Sequence, residues 1–150
     1  MGKTLGLVSC TKSKRNYSCS AKEMYWPSEL FRRAYDYCSK HYDCVAILSA
    51  RYGLLLPDEK IDPYDLTLKS MGETEQKKWA ERVFSQLSSK LPMTDISRVF
   101  FNAGLAYRTH LTKLLESQGV RCIVPLEGLS IGEQVAWYLR QRVSGVSDDL

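Results

Sequence analysis

The sequence predicts a single three-layer α/β domain over residues 1–150, a mostly parallel sheet of about four strands with helices on both faces. Three observations lead there. Apolar runs of strand length alternate with amphipathic runs of helical length. The strand candidates are apolar throughout, as strands covered on both faces must be. The length of 150 residues suits one domain with a real core.

Taken in order, Leu5–Cys10 is a short buried strand bounded by polar residues. Thr11–Tyr25 is polar and aperiodic, a long loop. Pro27 suits the first turn of a helix reaching about Tyr42, with Leu30, Phe31, Ala34, Tyr35 and Cys38 on one face. Cys44–Ser49 is the second strand. Arg51–Ser70, punctuated by Gly53, Pro57 and Pro63, is too long for an idle connection, and function is the expected reason for its length. Thr74–Leu91 is an amphipathic helix through Trp79, Val83, Phe84 and Leu87. Arg98–Asn102 is the third strand, and Gly104–Gln118 a helix that stops at Gly119. Val120–Val124 is the fourth strand and Ile131–Val143 the closing helix, with Ser144–Leu150 a frayed tail.

Composition narrows the function classes. A hydrophobic fraction of 44% and a charged fraction of 25% argue against disorder. No window holds the run of about 18 apolar residues that a membrane helix needs. The opening strand soon meets Lys12, Lys14 and Arg15 and lacks a cleavage signature, so a cytoplasmic protein is expected. The formal charge of +4 permits nucleic acid or phosphorylated ligands but is mild for a domain that clamps a duplex by charge alone. Lys3, Lys12, Lys14, Arg15 and Lys22 crowd the start, whereas Asp58, Glu59, Asp62 and Asp65 form an acidic stretch. That separation suits a compact polar site. The five cysteines (Cys10, Cys19, Cys38, Cys44 and Cys122) are odd in number and include no Cys-x-x-Cys pair, so neither a disulfide framework nor a metal site is expected. Cys38 and Cys122 read as buried hydrophobes. The sequence leaves any cofactor undetermined.

Right-handed crossovers place the carboxyl ends of parallel strands on one edge, where ligands of such sheets bind. The first strand delivers Ser9, Cys10, Lys12 and Lys14 there. Hydroxyl, backbone amides and two ammonium groups suit a phosphate or carboxylate, without the glycines of a Walker loop. The second ends in Ser49, Arg51, Tyr52 and Gly53, a guanidinium fork, an aromatic face and a glycine able to take positive φ. An ordinary turn with Arg51 paired to an acidic loop residue is the alternative. Asp62 and Tyr64 follow, stiffened by Pro63, and Asp62 is a candidate general base. The third strand supplies Asn102 and Gly104, with Tyr107 and Arg108 in the next helical turn. The fourth leads through Pro125–Ser130 to Glu133, an acid–base candidate or a partner of the helix dipole. Lys12, Asp62 and Glu133 are therefore the catalytic candidates; Ser9, Cys10, Lys14, Ser49, Arg51, Tyr52, Gly53, Tyr64, Asn102, Gly104 and Tyr107 are the substrate-binding ones. His41 and His110 read as structural, and a Cys10 nucleophile would need a base or a depressed pKa.

Val8–Lys14, Leu48–Leu55 with Pro57, Pro63–Asp65 and Pro125–Gln134 together resemble a family of small bacterial, archaeal and phage proteins of unknown function. The same landmarks are similar to the peroxide-stress YaaA family, through Ser9, Lys12, Tyr52, Gly53 and Tyr64, with Cys10-Thr11 where that family has Pro-Ala. Cys10 and Lys12 also resemble the strand end of the archaeosine synthase core. These resemblances imply nucleic-acid or base chemistry, and that implication joins the convergence of polar segments on one sheet edge. The expectation is an enzyme directed at a nucleobase or nucleotide, free or within DNA or tRNA, acting by glycosidic cleavage or group transfer. Lys12 and Arg51 would hold phosphate, Tyr52 and Tyr107 stack on the base. The alternatives are a non-catalytic nucleic-acid-binding or stress-response protein, or a structural partner presenting its tyrosines and Trp26.

Overall fold

A computed structural model describes residues 2–148. Its elements are β1 (Lys3–Ser9), β2 (Cys19–Ser20), α1 (Ala21–Met24), α2 (Glu29–His41), β3 (Cys44–Ser49), β4 (Gly53–Leu55) and β5 (Lys60–Ile61). After these come α3 (Glu73–Lys90), β6 (Ile96–Asn102), α4 (Leu105–Ser117), β7 (Arg121–Ile123) and α5 (Ile131–Asp148). The main sheet has five strands in the order β4-β3-β1-β6-β7, and β2 pairs with β5 in a separate antiparallel ribbon. β1 is parallel to both β3 and β6, β6 is parallel to β7, and only β4 runs antiparallel, at the edge. This is a mostly parallel α/β sheet covered by helices on both sides.

Burial accounts for the uniformly apolar strands. Leu5 and Leu7 of β1 face the side carrying α3 and α4, together with Leu48, Val99 and Phe101. Val8 and Ile47 face the other way, into a cluster with Phe31, Ala34 and Cys38 of α2 and Tyr138 of α5. Gly6 is where α2 comes closest: a Cβ built there would lie 2.7 Å from Tyr42 Cδ2 and 3.0 Å from Cys38 Cβ. The glycine lets helix and strand meet at backbone distance, and Tyr42 fills the remaining space by stacking on Phe100 at 4.4 Å.

Three differences from the sequence reading have local causes, and a fourth concerns the end of the last helix. Gly53–Leu55 adds a fifth strand, because Ser49–Gly53 is a hairpin turn and not a strand end opening into a long loop. Within Thr11–Tyr25 lie β2 and α1, which last two and four residues, too short to show a period. Helix α2 starts after Ser28, whose hydroxyl accepts the Phe31 N–H at 3.2 Å, so a side-chain cap and not Pro27 sets its origin. At the other end α5 continues to Asp148, past Val143; the last two residues of the expected tail lie outside the described residues.

A candidate ligand crevice at the carboxyl ends of β1 and β6

β1 is the central strand, and the chain leaves it toward β3 on one side, whereas it leaves the neighbouring β6 toward β7 on the other. Consecutive connections thus diverge beyond the ends of β1 and β6, which opens a crevice there. The structure has a cavity of about 720 Å³ at that place. Ser9, Cys10, Lys12 and Lys14 reach it from β1; Asn102, Gly104 and Tyr107 reach it from β6 and the first turn of α4. Seven of the residues expected from sequence therefore meet in one cavity. Leu30, Phe31 and Ala34 of α2 and Leu126 and Leu129 of the segment before α5 make an apolar wall.

Its charges are unequal. Lys12, Lys14, Lys69 and Arg108 line the crevice against two carboxylates, Asp65 and Glu127. Arg108 donates from Nε to the Ala103 carbonyl at 3.0 Å, and its Nη1 lies 3.5 Å from Glu127 Oε2. Lys14 Nζ sits 4.8 Å from the Tyr64 ring centre and donates to the Lys12 carbonyl at 3.3 Å. Lys12 and Lys69 are exposed and make no ion pair among the described residues. The crevice thus combines a cationic side with an apolar side.

Cys10 stands where the polar groups converge. Its backbone N–H donates to Leu48 O at 2.7 Å, which carries β1 pairing one residue past the strand, and its thiol lies 3.2 Å from the Tyr107 hydroxyl. Behind it runs a chain of hydroxyls: Tyr25 Oη is 2.6 Å from Tyr64 Oη, which is 2.8 Å from Ser49 Oγ. Ser49 Oγ in turn accepts the Tyr52 N–H at 3.0 Å. Burial pushes the Tyr64, Tyr107 and Tyr25 phenols well above the ordinary range, and proximity to the Cys10 thiol adds to the effect. At neutral pH all three hold their protons and act as hydrogen-bonding groups, not as bases. Neither His41 nor His110 lines the crevice, and Asp65 and Glu127 are the carboxylates that do.

The other expected site residues do not line the crevice. Ser49 is fully buried at the hairpin and its carbonyl accepts the Trp79 indole N–H at 2.8 Å. Gly53 takes φ +77° against Gln86, which accepts Leu54 N–H at 2.8 Å and donates to Tyr52 O at 3.2 Å. Arg51 is exposed and its guanidinium rests 5.5 Å from the Tyr52 ring centre, so it pairs with an aromatic neighbour and not with the acidic loop. Tyr52 donates to Asp62 O at 3.3 Å and accepts Asp62 N–H at 3.2 Å, which pins the Asp62 turn. The Asp62 carboxylate accepts from the Ser18 hydroxyl outside the crevice. Tyr64 lies beneath the Lys14 ammonium, within the hydroxyl chain. Glu133 caps α5: it accepts Ser130 N–H at 3.0 Å while Ser130 Oγ accepts Glu133 N–H at 3.2 Å, a reciprocal capping pair. These bonds hold the Glu133 carboxyl below its usual range, which suits an ionised helix cap and not a general acid. Asn102 lines the crevice but is committed on both ends, donating to Cys38 Sγ at 3.1 Å and accepting from Tyr138 Oη at 2.7 Å.

Sequence reasoning did not single out Lys69, nor give Arg108 a role. Lys69 stands in a one-turn 3₁₀ helix whose approach to the crevice depends on Leu68 being buried. The one signal for Arg108 in the sequence is its place one residue after Tyr107.

Fold and crevice together define a doubly wound α/β protein with a polar cavity at the crossover point of its sheet. The chain belongs to the family of unknown function DUF6884, which it matches over residues 5–140. No curated protein matches it. It is similar to the crystal structure of AF0587, a protein of unknown function, with 16% sequence identity and a TM-score of 0.49. That alignment covers 95% of this chain and 44% of the other, so the chain spans under half of that protein's length.

Proposed function

We propose that the crevice binds a nucleotide and that the protein is an enzyme directed at the nucleotide or its base. The observation that carries this reading is the two-sided cavity at the ends of β1 and β6, cationic on one side and apolar on the other. A nucleotide is a ligand of that form, with a charged phosphate joined to a flat, weakly polar body. Lys12, Lys14 and Lys69 attract the phosphate, and Gly104 at the start of α4 leaves its backbone open to approach. The base and sugar lie along Leu30, Leu126 and Leu129. Asp65 supplies acid–base capacity, with the Cys10 thiol and Tyr107 hydroxyl beside the reacting group. Glycosidic cleavage or group transfer at the base is the reaction class, and the resemblance of Ser9–Lys14 to proteins associated with nucleic-acid bases supports the same direction.

The test is calorimetric titration with nucleoside monophosphates, diphosphates and free nucleosides, followed by mass spectrometry of the products from free nucleotides, DNA and tRNA. Nucleotides should bind more tightly than nucleosides. Lys12→Ala should weaken them by roughly fivefold, the worth of about 1 kcal/mol. Asp65→Asn should keep binding and lose turnover. Binding of nucleic acid with steep salt dependence and no product would favour the non-catalytic alternative, to which the exposed Lys12 and Lys69 also lend themselves. If no nucleotide, nucleoside or nucleic acid binds, the proposal fails.

A further inference from the structure

Arg108 is the one guanidinium in the crevice wall, and its surroundings are incomplete. Its side chain retains only 15% of its exposure, yet among the described residues its one hydrogen bond runs from Nε to the Ala103 carbonyl. Its only other partner there is Glu127 at 3.5 Å, beyond the 2.7–3.2 Å range of a good N–H···O bond. Its terminal nitrogens are not among the buried polar atoms left without a partner, so solvent reaches them, and a ligand oxyanion can replace that solvent with a charge-assisted bidentate bond. The Nε contact fixes the plane of the group and leaves the terminal nitrogens as the donors that can exchange partners.

The Glu127 side chain is built to yield. It is 69% exposed, whereas its neighbour Leu126 is 9% exposed and fixes the backbone. Gly128, at φ +87°, turns the chain directly after it. Rotation of the carboxylate into solvent therefore needs no movement of the apolar wall.

We infer that Arg108 forms an oxyanion subsite of the crevice, with Glu127 as its internal stand-in, displaced when a phosphate or carboxylate of the ligand arrives. This rests on the reading of the crevice as an anion-binding site, and it adds a second point of anion recognition, apart from the lysines. The ligand class it specifies carries an oxyanion that meets the start of α4. Glu127 then sets affinity by competition: without ligand the Arg108 subsite stays neutralised, and only an anion that outcompetes a tethered carboxylate is held there.

The experiment is a double-mutant cycle on the full chain, with ADP as the probe. Binding is measured by calorimetry for wild type, Glu127→Gln, Arg108→Gln and the pair, with circular dichroism to establish that each folds. Arg108→Met, which keeps the apolar stem and removes the charge, replaces Arg108→Gln if the latter does not fold. Glu127→Gln should tighten ADP by about two- to fivefold, the scale on which a partly exposed ion pair competes. That gain should disappear in the Arg108-substituted background, because the carboxylate acts through the guanidinium. Inorganic phosphate and acetate as minimal probes then show which oxyanion the subsite prefers. A gain of equal size in both backgrounds would be a general charge effect and would overturn the inference, as would unchanged affinity in Glu127→Gln. In either case nucleotide binding by wild type leaves the proposed function standing. If neither wild type nor Glu127→Gln binds ADP or phosphate, both readings fall together.

Discussion

Raising the pH should unfold this protein through its tyrosines. Burial pushes the phenols of Tyr25, Tyr64, Tyr107 and Tyr138 well above their ordinary range, with the nearby Cys10 thiol adding to the first three and Cys38 to the last. A group whose folded pKa is raised holds its proton more firmly in the native state than in the unfolded chain. Its stabilising contribution is therefore complete below the unfolded value of about 10 and is lost as pH rises toward the folded one. Each such phenol costs about 1.4 kcal/mol per pH unit in that window, so four together cost about 6 kcal/mol by pH 11 and about 11 kcal/mol by pH 12. A domain typically has about 5–15 kcal/mol of stability. Cooperative unfolding should thus fall roughly between pH 11 and 12. The assay follows tyrosinate ultraviolet absorbance and far-ultraviolet circular dichroism in one alkaline titration. Absorbance from these four groups should appear together with loss of the fold. Tyr64→Phe should reduce the slope of stability against pH by about 1.4 kcal/mol per pH unit, the share of one titrating phenol. Full ionisation near pH 10 with the dichroism intact would mean that water reaches the hydroxyl chain, and the described site would be wrong.

Two further outcomes follow from local geometry. Gly6→Ala places a methyl 2.7 Å from Tyr42 Cδ2, on the central strand where neither partner can withdraw freely, and should cost about 1–3 kcal/mol by urea unfolding; a change under about 0.5 kcal/mol would show that α2 does not pack as described. The Glu133 carboxylate should titrate below 4.5 by carbon NMR and move toward that value in Ser130→Ala, so that its capping contribution is present above the ordinary carboxylate range and is lost as pH falls through the lowered pKa; an unshifted midpoint in wild type would deny the capping pair.

Much of the fold was legible because burial on two faces writes itself directly into sequence. Leu5–Val8, Ala46–Leu48 and Val99–Phe101 are apolar for reasons that hold whatever the order of strands. Strand order was not legible, and the placement of several expected site residues outside the crevice traces to that gap. Ser49–Gly53 has the residue types of a ligand loop, but β3 turns back antiparallel at that point and the segment is consumed by the hairpin. Asp62 and Glu133 are carboxylates near strand ends, and the hydrogen bonds they accept from Ser18 and Ser130 are not distinguishable from the residue types alone. The Ser9–Lys14 and Asn102–Tyr107 segments meet in the crevice because they follow the two adjacent parallel strands where connections diverge, a consequence of topology and not of motif. Asp65, not Asp62, is the carboxylate of the acidic run that reaches the cavity.

The most direct test of the central claim is an amide NMR titration of the isotope-labelled protein with ADP. Shifts should concentrate in Ser9–Lys14, Asn102–Arg108 and Leu126–Leu129, with Arg51–Gly53 and Asp62 unmoved. Shifts centred on the Arg51–Gly53 hairpin, with the ends of β1 and β6 silent, would contradict the crevice as the functional site.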